Sequence, residues 1–141
     1  HKGNIVLHAA VHNAVVLTIN ALAAAHQAIV PVQAHYLAME DMADTLEVIQ
    51  TIRQGINPKL AVGGILLTMY QGRTNLCRGI QDEIQADYGN AFTVFSSPID
   101  FSIRVAEHPI GAASIFAYEP NNPAAKAYSA VAQEVLSYGQ K

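Results

Sequence analysis

Apolar residues at Met42, Leu46, Ile49 and Ile52 fall on one side of a helix spanning Glu40 to Gln54, with charged and polar residues between them. Gly55 follows, as glycine often follows a helix end. Asn13 to His26 has the same helical spacing, with Asn13 placed to cap its start. Thr74 to Tyr88 predicts a third helix with Leu76, Ile80 and Ile84 inward and Gly89 closing it, and Pro123 to Tyr138 a fourth with proline in its first turn. Between the helices lie short apolar runs that predict strands: Asn4 to Leu7, Ile29 to Val32, Ala61 to Met69, Phe92 to Phe95 and Ser114 to Ala117. A short helix is expected over Ser102 to Glu107. Alternation of strand and helix implies a mainly parallel sheet covered by helices on both faces, an α/β architecture over a single domain of residues 1–141.

The run Ala61 to Met69 is continuously apolar, as parallel strands buried on both faces are. It stops at Thr68-Met69-Tyr70 and turns through Gln71-Gly72-Arg73-Thr74-Asn75, so polar groups are delivered to the C-terminal edge of the sheet. In open α/β sheets that edge is where ligands sit.

Composition narrows the class. The chain has 141 residues, 51% hydrophobic and 13% charged, with a formal net charge of −3, which suits one small folded unit and not a disordered tail. The most apolar long window, Ala14 to Val32, is broken by Thr18, Asn20, His26 and Gln27 and does not read as a membrane span. The single cysteine, Cys77, excludes an intrachain disulfide framework and reads as a reduced thiol. His8 and His12 share the i, i+4 spacing of a zinc-protease helix, but Ala9 stands where the general base belongs. His26, His35 and His108 are scattered, and no metal site is expected.

Taken in order, several segments resemble the ParA/Soj branch of the MinD-like, deviant-Walker ATPases that partition chromosomes and plasmids. Residues 64–75 are similar to that family's GILLTMYDxRTNL. Leu17 to Ala25, Ile29 to Gln33 and Tyr36 to Glu40 are similar to LTINALAAADxVIIPVQxEYYALEG. Ile103 to Pro109 resembles VRLSEAP, and Tyr118 to Leu136 resembles a closing YDPxSxGAxAYxxLAxEVL. The match runs from Leu17 to Leu136, the second half of such an ATPase, and fades over residues 1–16.

The resemblance implies part of a P-loop NTPase fold lacking its N-terminal P-loop unit. The family's phosphate chemistry belongs to a KGGVGKTT loop whose amides and lysines hold the nucleotide, and these 141 residues contain none. Aligned backwards from Leu17, the Walker B aspartate falls on Ala9, which has no group to act on magnesium or its water. ATP and magnesium are the family's cofactors; the residues here fix none, and the chain by itself is not expected to hydrolyse ATP.

By the same resemblance, Thr68, Met69, Tyr70 and Pro98 belong to the base side of a nucleotide site, and Arg73 and Arg104 to nonspecific DNA contact. Ordinary readings stand beside these: Met69 and Pro98 as loop packing, and Arg104 as an i, i+3 partner of Glu107. Eight Lys and Arg against eleven acids make no basic run. The base loop also departs from the family, reading Ile99-Asp100-Phe101-Ser102-Ile103-Arg104-Val105 where relatives read IPRNVRL, with the proline displaced to Pro98. Glu40, Asp41, Asp44 and Glu47 crowd one helix, either as solvated charge or, by analogy, as a partner face.

The expected partners are nonspecific DNA, a centromere-binding ParB-like protein, and either a second copy or a missing N-terminal segment to cover an exposed sheet edge. The expected place is the cytoplasm, on the nucleoid, with no membrane partner. Two origins fit equally, a piece of a longer ATPase or a degenerate relative kept as a binding module. The alternative function is a noncatalytic interaction module that pairs with a complete ParA-like subunit.

Overall fold

The computed structural model describes residues 6–8, 15–103, 105 and 114–138. Three strands, β1 (Val6–His8), β2 (Gln27–Gln33) and β3 (Ala61–Thr68), form a sheet in the order β1-β2-β3. Both pairings are parallel. Helices α1 (Val15–Ala24), α2 (Ala38–Gly55), α3 (Asn75–Tyr88), α4 (Ile115–Tyr118) and α5 (Pro123–Tyr138) connect and follow them.

Strand β2 alternates between buried and half-buried residues. Ala28, Val30 and Val32 join Ile65 and Leu67 of β3 in the main core, with Leu22 of α1, Met42, Ile49 and Ile52 of α2, and Cys77, Ile80 and Ile84 of α3. The opposite face carries a smaller cluster, Leu66, Phe95 and Ile99 packed on Val131 of α5, with Ile29 and Val135 beside it. The sheet is therefore covered on both faces, as parallel sheets must be.

Pro31 sits within β2 without breaking its bond to β3. The amide of Ala34 donates to Thr68 O, and alternate residues of a strand point their amides to opposite sides, so Val30 and Val32 face β3 while Pro31 faces away. Register shifts between Ala28 and Ile29, which pair with Val62 and Gly64, leaving Gly63 as the extra residue of a bulge.

The outer side of β3 is occupied as well. Ile65 exchanges backbone hydrogen bonds with Thr93 and Phe95, at 2.8 and 2.9 Å, and the Ile99 amide donates to Leu67 O at 2.9 Å. Phe95 to Ile99 spans four residues where Ile65 to Leu67 spans two, so Ser96, Ser97 and Pro98 bulge out of the ladder. The strand expected over Phe92 to Phe95 is for that reason reduced to a single bridge, Ile65 with Val94. Ser96 has its own anchor: its amide and hydroxyl donate to the two carboxylate oxygens of Glu134 on α5, at 3.2 and 2.7 Å.

Other expectations shift too. Ser114 to Ala117 is not a strand. The Ser114 side chain accepts from the Ala117 amide at 3.3 Å, and this cap closes Ile115–Tyr118 into one helical turn. On α3 the inward set is Cys77, Ile80 and Ile84; Leu76 is 54% exposed whereas Cys77 is 5%. Thr74 caps the first turn, and Cys77 packs in the core with its thiol donating to Ala34 O at 3.4 Å. His8, one half of the zinc-helix spacing, lies in β1, and His12 lies outside the described residues. Asn13, His12 and the Ala9 position of the Walker B alignment lie outside the described residues, as does the rest of residues 1–5 and 9–14. Of the helix expected over Ser102 to Glu107, Ile103 and Val105 are helical. Among the described residues no helix is long and apolar enough to cross a membrane.

Candidate functional site

At the C-terminal end of β3 the chain leaves the sheet abruptly. Met69 takes a left-handed backbone, φ 52°, which kinks the strand end at a residue that is not glycine. Tyr70 then rejoins the neighbouring segment in a parallel bridge with Asp100: its amide donates to Ile99 O at 3.0 Å, and its carbonyl accepts from the Phe101 amide at 3.0 Å. Residues 70 and 100 are thereby held side by side although no regular strand reaches them.

The turn that follows is tied at both ends. The Thr74 amide and hydroxyl both donate to Gln71 O at 2.9 Å, and Thr74 Oγ1 accepts from the Cys77 amide to start α3. The Tyr70 hydroxyl donates to Gln81 Oε1 at 2.7 Å, fixing the ring against α3. Gly72 passes over that ring so closely that a Cβ there would lie 3.1 Å from Tyr70 Cε1.

These elements enclose an open cleft of about 540 Å³, lined by Tyr70 to Arg73 on one side, Asp100 to Ser102 on a second and Asn122 to Ala124 at the start of α5 on the third. Tyr70 and Phe101 supply aromatic surface. Arg73 and Asp100 are exposed, and neither side chain has a hydrogen-bond or ion-pair partner among the described residues. Asn122 is already committed: Oδ1 accepts from the Ala124 amide at 2.9 Å and Nδ2 donates to Glu119 Oε2 at 2.7 Å. Among the described residues no three His, Cys, Asp or Glu side chains gather as a metal site. The donor set of the cleft itself, with Asp100 as its one carboxylate, does not fit magnesium.

Of the residues named from the sequence, the structure brings Tyr70 and Arg73 to the cleft. Thr68 stops short of it, half-buried at the end of β3, where its hydroxyl donates to Val32 O at 3.3 Å. Met69 is exposed at the kink, and Pro98 is half-buried in the bulge; neither lines the cleft. Arg104 and Glu107 lie outside the described residues.

No family model matches the chain. Individual proteins do. The chromosome-partitioning ATPase Soj of Thermus thermophilus is 42% identical over 125 residues, 89% of this chain and 49% of that protein. The chromosome partitioning protein ParA of Caulobacter vibrioides is 32% identical over 122 residues, 86% of this chain and 45% of that one. The sporulation initiation inhibitor protein Soj of Bacillus subtilis is 32% identical over 123 residues, 87% and 48%. The chain belongs to the ParA/Soj family.

This ParA-like chain spans about half the length of the curated relatives it matches. A cobyrinic acid a,c-diamide synthase from Mycobacterium smegmatis, solved with bound ADP and magnesium, superposes with a TM-score of 0.68 at 28% identity, over 89% of this chain and 43% of that one. The sheet and helices are thus part of the ParA/MinD-like P-loop NTPase fold.

The third wall of the cleft, Asn122 to Ala124, was not among the expected site residues. Its sequence carried a helix-start signal at Pro123, but hydrophobic periodicity holds no information on which strand end a helix start will face.

Proposed function

We propose that this chain is the base-side part of a ParA-like partitioning ATPase acting in chromosome or plasmid segregation, with residues 1–141 forming one α/β domain. The observation that carries this reading is the Tyr70–Asp100 bridge, which joins the ends of two family segments around a cleft at the carboxyl edge of a parallel sheet. The nucleotide base lies in that cleft against Tyr70, with Thr68, Met69 and Pro98 shaping the loops behind it. The phosphates and magnesium are held by residues other than these, since the sequence has no Gly-rich lysine loop.

Arg73, exposed and unpaired among the described residues, contacts the phosphate backbone of nonspecific DNA, and Arg104 does the same from the VRLSEAP-like segment. The exposed acids Glu40, Asp41, Asp44 and Glu47 of α2 offer a face to a centromere-binding, ParB-like partner, and a second copy completes the assembly on the nucleoid.

The test is calorimetry of ATP and ADP with magnesium on the 141-residue chain, beside DNA binding at two salt concentrations. Salt-sensitive DNA binding that Arg73→Ala and Arg104→Ala abolish supports the reading, with weak nucleotide binding confined to cleft residues. Absence of both activities, with tight association to a complete ParA-like subunit, would support the noncatalytic module in its place.

A further inference from the structure

The three walls of the cleft are held by different parts of the molecule. Tyr70 is tied to α3 through Gln81, and Asp100 is fixed beside it because the Tyr70 amide donates to Ile99 O and its carbonyl accepts from the Phe101 amide. The first two walls therefore keep their places together at the end of β3. Asn122, in the third wall, spends its side chain on Glu119 and Ala124 within its own turn, so the place of that wall follows from where α5 lies on the sheet.

Helix α5 meets the sheet through Val131, which packs with Leu66, Phe95 and Ile99, with Ala127 and Val135 beside it. Its first turn adds only the buried methyl groups of Ala124 and Ala125. Apolar contact is non-directional: it holds the helix down on the sheet but gives little resistance to sliding along its own axis. Direction comes from Glu134, whose two carboxylate oxygens each take one donor of Ser96, the amide at 3.2 Å and the hydroxyl at 2.7 Å. Ser96 is a fixed point, since the residues bounding its bulge, Phe95 and Ile99, donate their amides to Ile65 O and Leu67 O of β3. Glu134 stands ten residues after Ala124, about 15 Å along one continuous helix, so a shift at the carboxylate reappears at the cleft.

We propose that Glu134 is a positioning residue for the cleft: by gripping both donors of Ser96 it fixes the register of α5 on the sheet and with it the distance of the third wall from Tyr70. The inference rests on the reading of the cleft as a base site and assigns a residue that does not line it. Releasing the grip lets the wall drift, and a base that must touch all three walls loses contact with one of them.

The test is an NMR titration of the 141-residue chain with adenosine, a base without phosphate, so that the charge of Glu134 does not act on an anionic ligand. The backbone amides of Tyr70, Phe101 and Ala124 report the three walls. Glu134→Asp keeps the charge and withdraws the carboxylate by one methylene, and Glu134→Ala removes it. Both are expected to raise the dissociation constant about fivefold, the worth of one net hydrogen bond, and to move the Ala124 amide signal before any ligand is added. Ser96→Thr, which keeps both donors, should bind as the unmodified chain does. Unchanged signals from Val30 and Leu67 confirm that each variant retains its sheet. Undiminished affinity in Glu134→Asp and Glu134→Ala, with shifts at all three walls, leaves the base site standing and overturns the positioning role. A loss in Glu134→Ala alone assigns the effect to charge and overturns it too, as does a loss in Ser96→Thr equal to that in Glu134→Ala. No shift at any wall of the unmodified chain overturns the base-site reading and this inference with it.

Discussion

The ring of Phe95 occupies the space that a side chain on Gly64 would need. A Cβ at Gly64 would lie 2.6 Å from Phe95 Cε2 and 3.1 Å from Thr93 O, and Gly64 itself holds φ 154°, a backbone that L residues rarely adopt. Phe95 is buried at the centre of the smaller core cluster, so its ring has little room to retreat. Gly64→Ala is expected to destabilise the chain by about 3 kcal/mol, combining strain at an unfavourable φ with overpacking. Urea unfolding measures this directly, and a loss below about 1 kcal/mol would mean that the β3 bulge relaxes to admit the methyl group.

The side chain of Asn57, in the loop after α2, donates to Leu22 O and Ala25 O at 3.0 and 2.8 Å, satisfying two carbonyls at the end of α1. Those carbonyls have no later turn of helix to accept from. Asn57→Ala is expected to lower stability by about 2 kcal/mol, one for each bond to a part-buried acceptor. Asn57→Asp, which keeps the shape and removes the donor, should lose at least as much in the same unfolding assay.

The Glu134 carboxylate receives both the amide and the hydroxyl of Ser96. Glu134→Gln retains one acceptor oxygen and should cost about 1 kcal/mol. A double-mutant cycle with Ser96→Ala separates this contact from general effects on α5. A coupling energy indistinguishable from zero would show that the Ser96 hydroxyl is satisfied equally well by water.

Arg73→Ala should leave the unfolding midpoint unchanged, because the exposed guanidinium has no partner among the described residues. If the arginine contacts a DNA phosphate, the plot of log binding constant against log salt loses about one unit of slope. An unchanged slope with unchanged affinity removes Arg73 from the DNA surface.

Tyr70→Phe deletes the bond to Gln81 Oε1 and keeps the ring. The expected effect on stability is small, about 1 kcal/mol, while affinity for a nucleotide in the cleft falls a few-fold because the ring is no longer held. Gln81→Ala should reproduce both effects. A loss of affinity in one variant alone would separate the hydroxyl from the positioning role.

The repeating parts of the fold were legible in the sequence because their causes are local. Met42, Ile49 and Ile52 on α2 and the continuous run of β3 fall where periodicity places them. Leu76 misled by being a large apolar residue beside the true inward position, Cys77, which packs in the main core with its thiol on Ala34 O. The irregular edge was harder to read: Val94 bridges Ile65, the next three residues leave the ladder, and pairing resumes at Ile99. That interruption depends on Glu134, 38 residues further along, capturing the Ser96 amide. Ser114 outweighed the strand preference of Ile115 and Phe116 in the same way, through one hydrogen bond to Ala117. Of the residues the resemblance put at a nucleotide base, Tyr70 lines the cleft and Thr68, Met69 and Pro98 do not; Arg73, expected on DNA, lines it too, and the third wall at Asn122 to Ala124 arises from how α5 docks, which neither periodicity nor motif spacing encodes.

The unequal size of the two core clusters gives the molecule two levels of cooperativity. Helix α5 rests on a handful of apolar residues and the Ser96–Glu134 contact, while α1, α2 and α3 share the main core. Sub-global opening should begin at α5, whose amides would exchange with solvent well before those of β2 and β3. Since Pro123 and Ala124 open this helix and Asn122 directly precedes it, each such excursion would dismantle one wall of the cleft and leave the sheet intact.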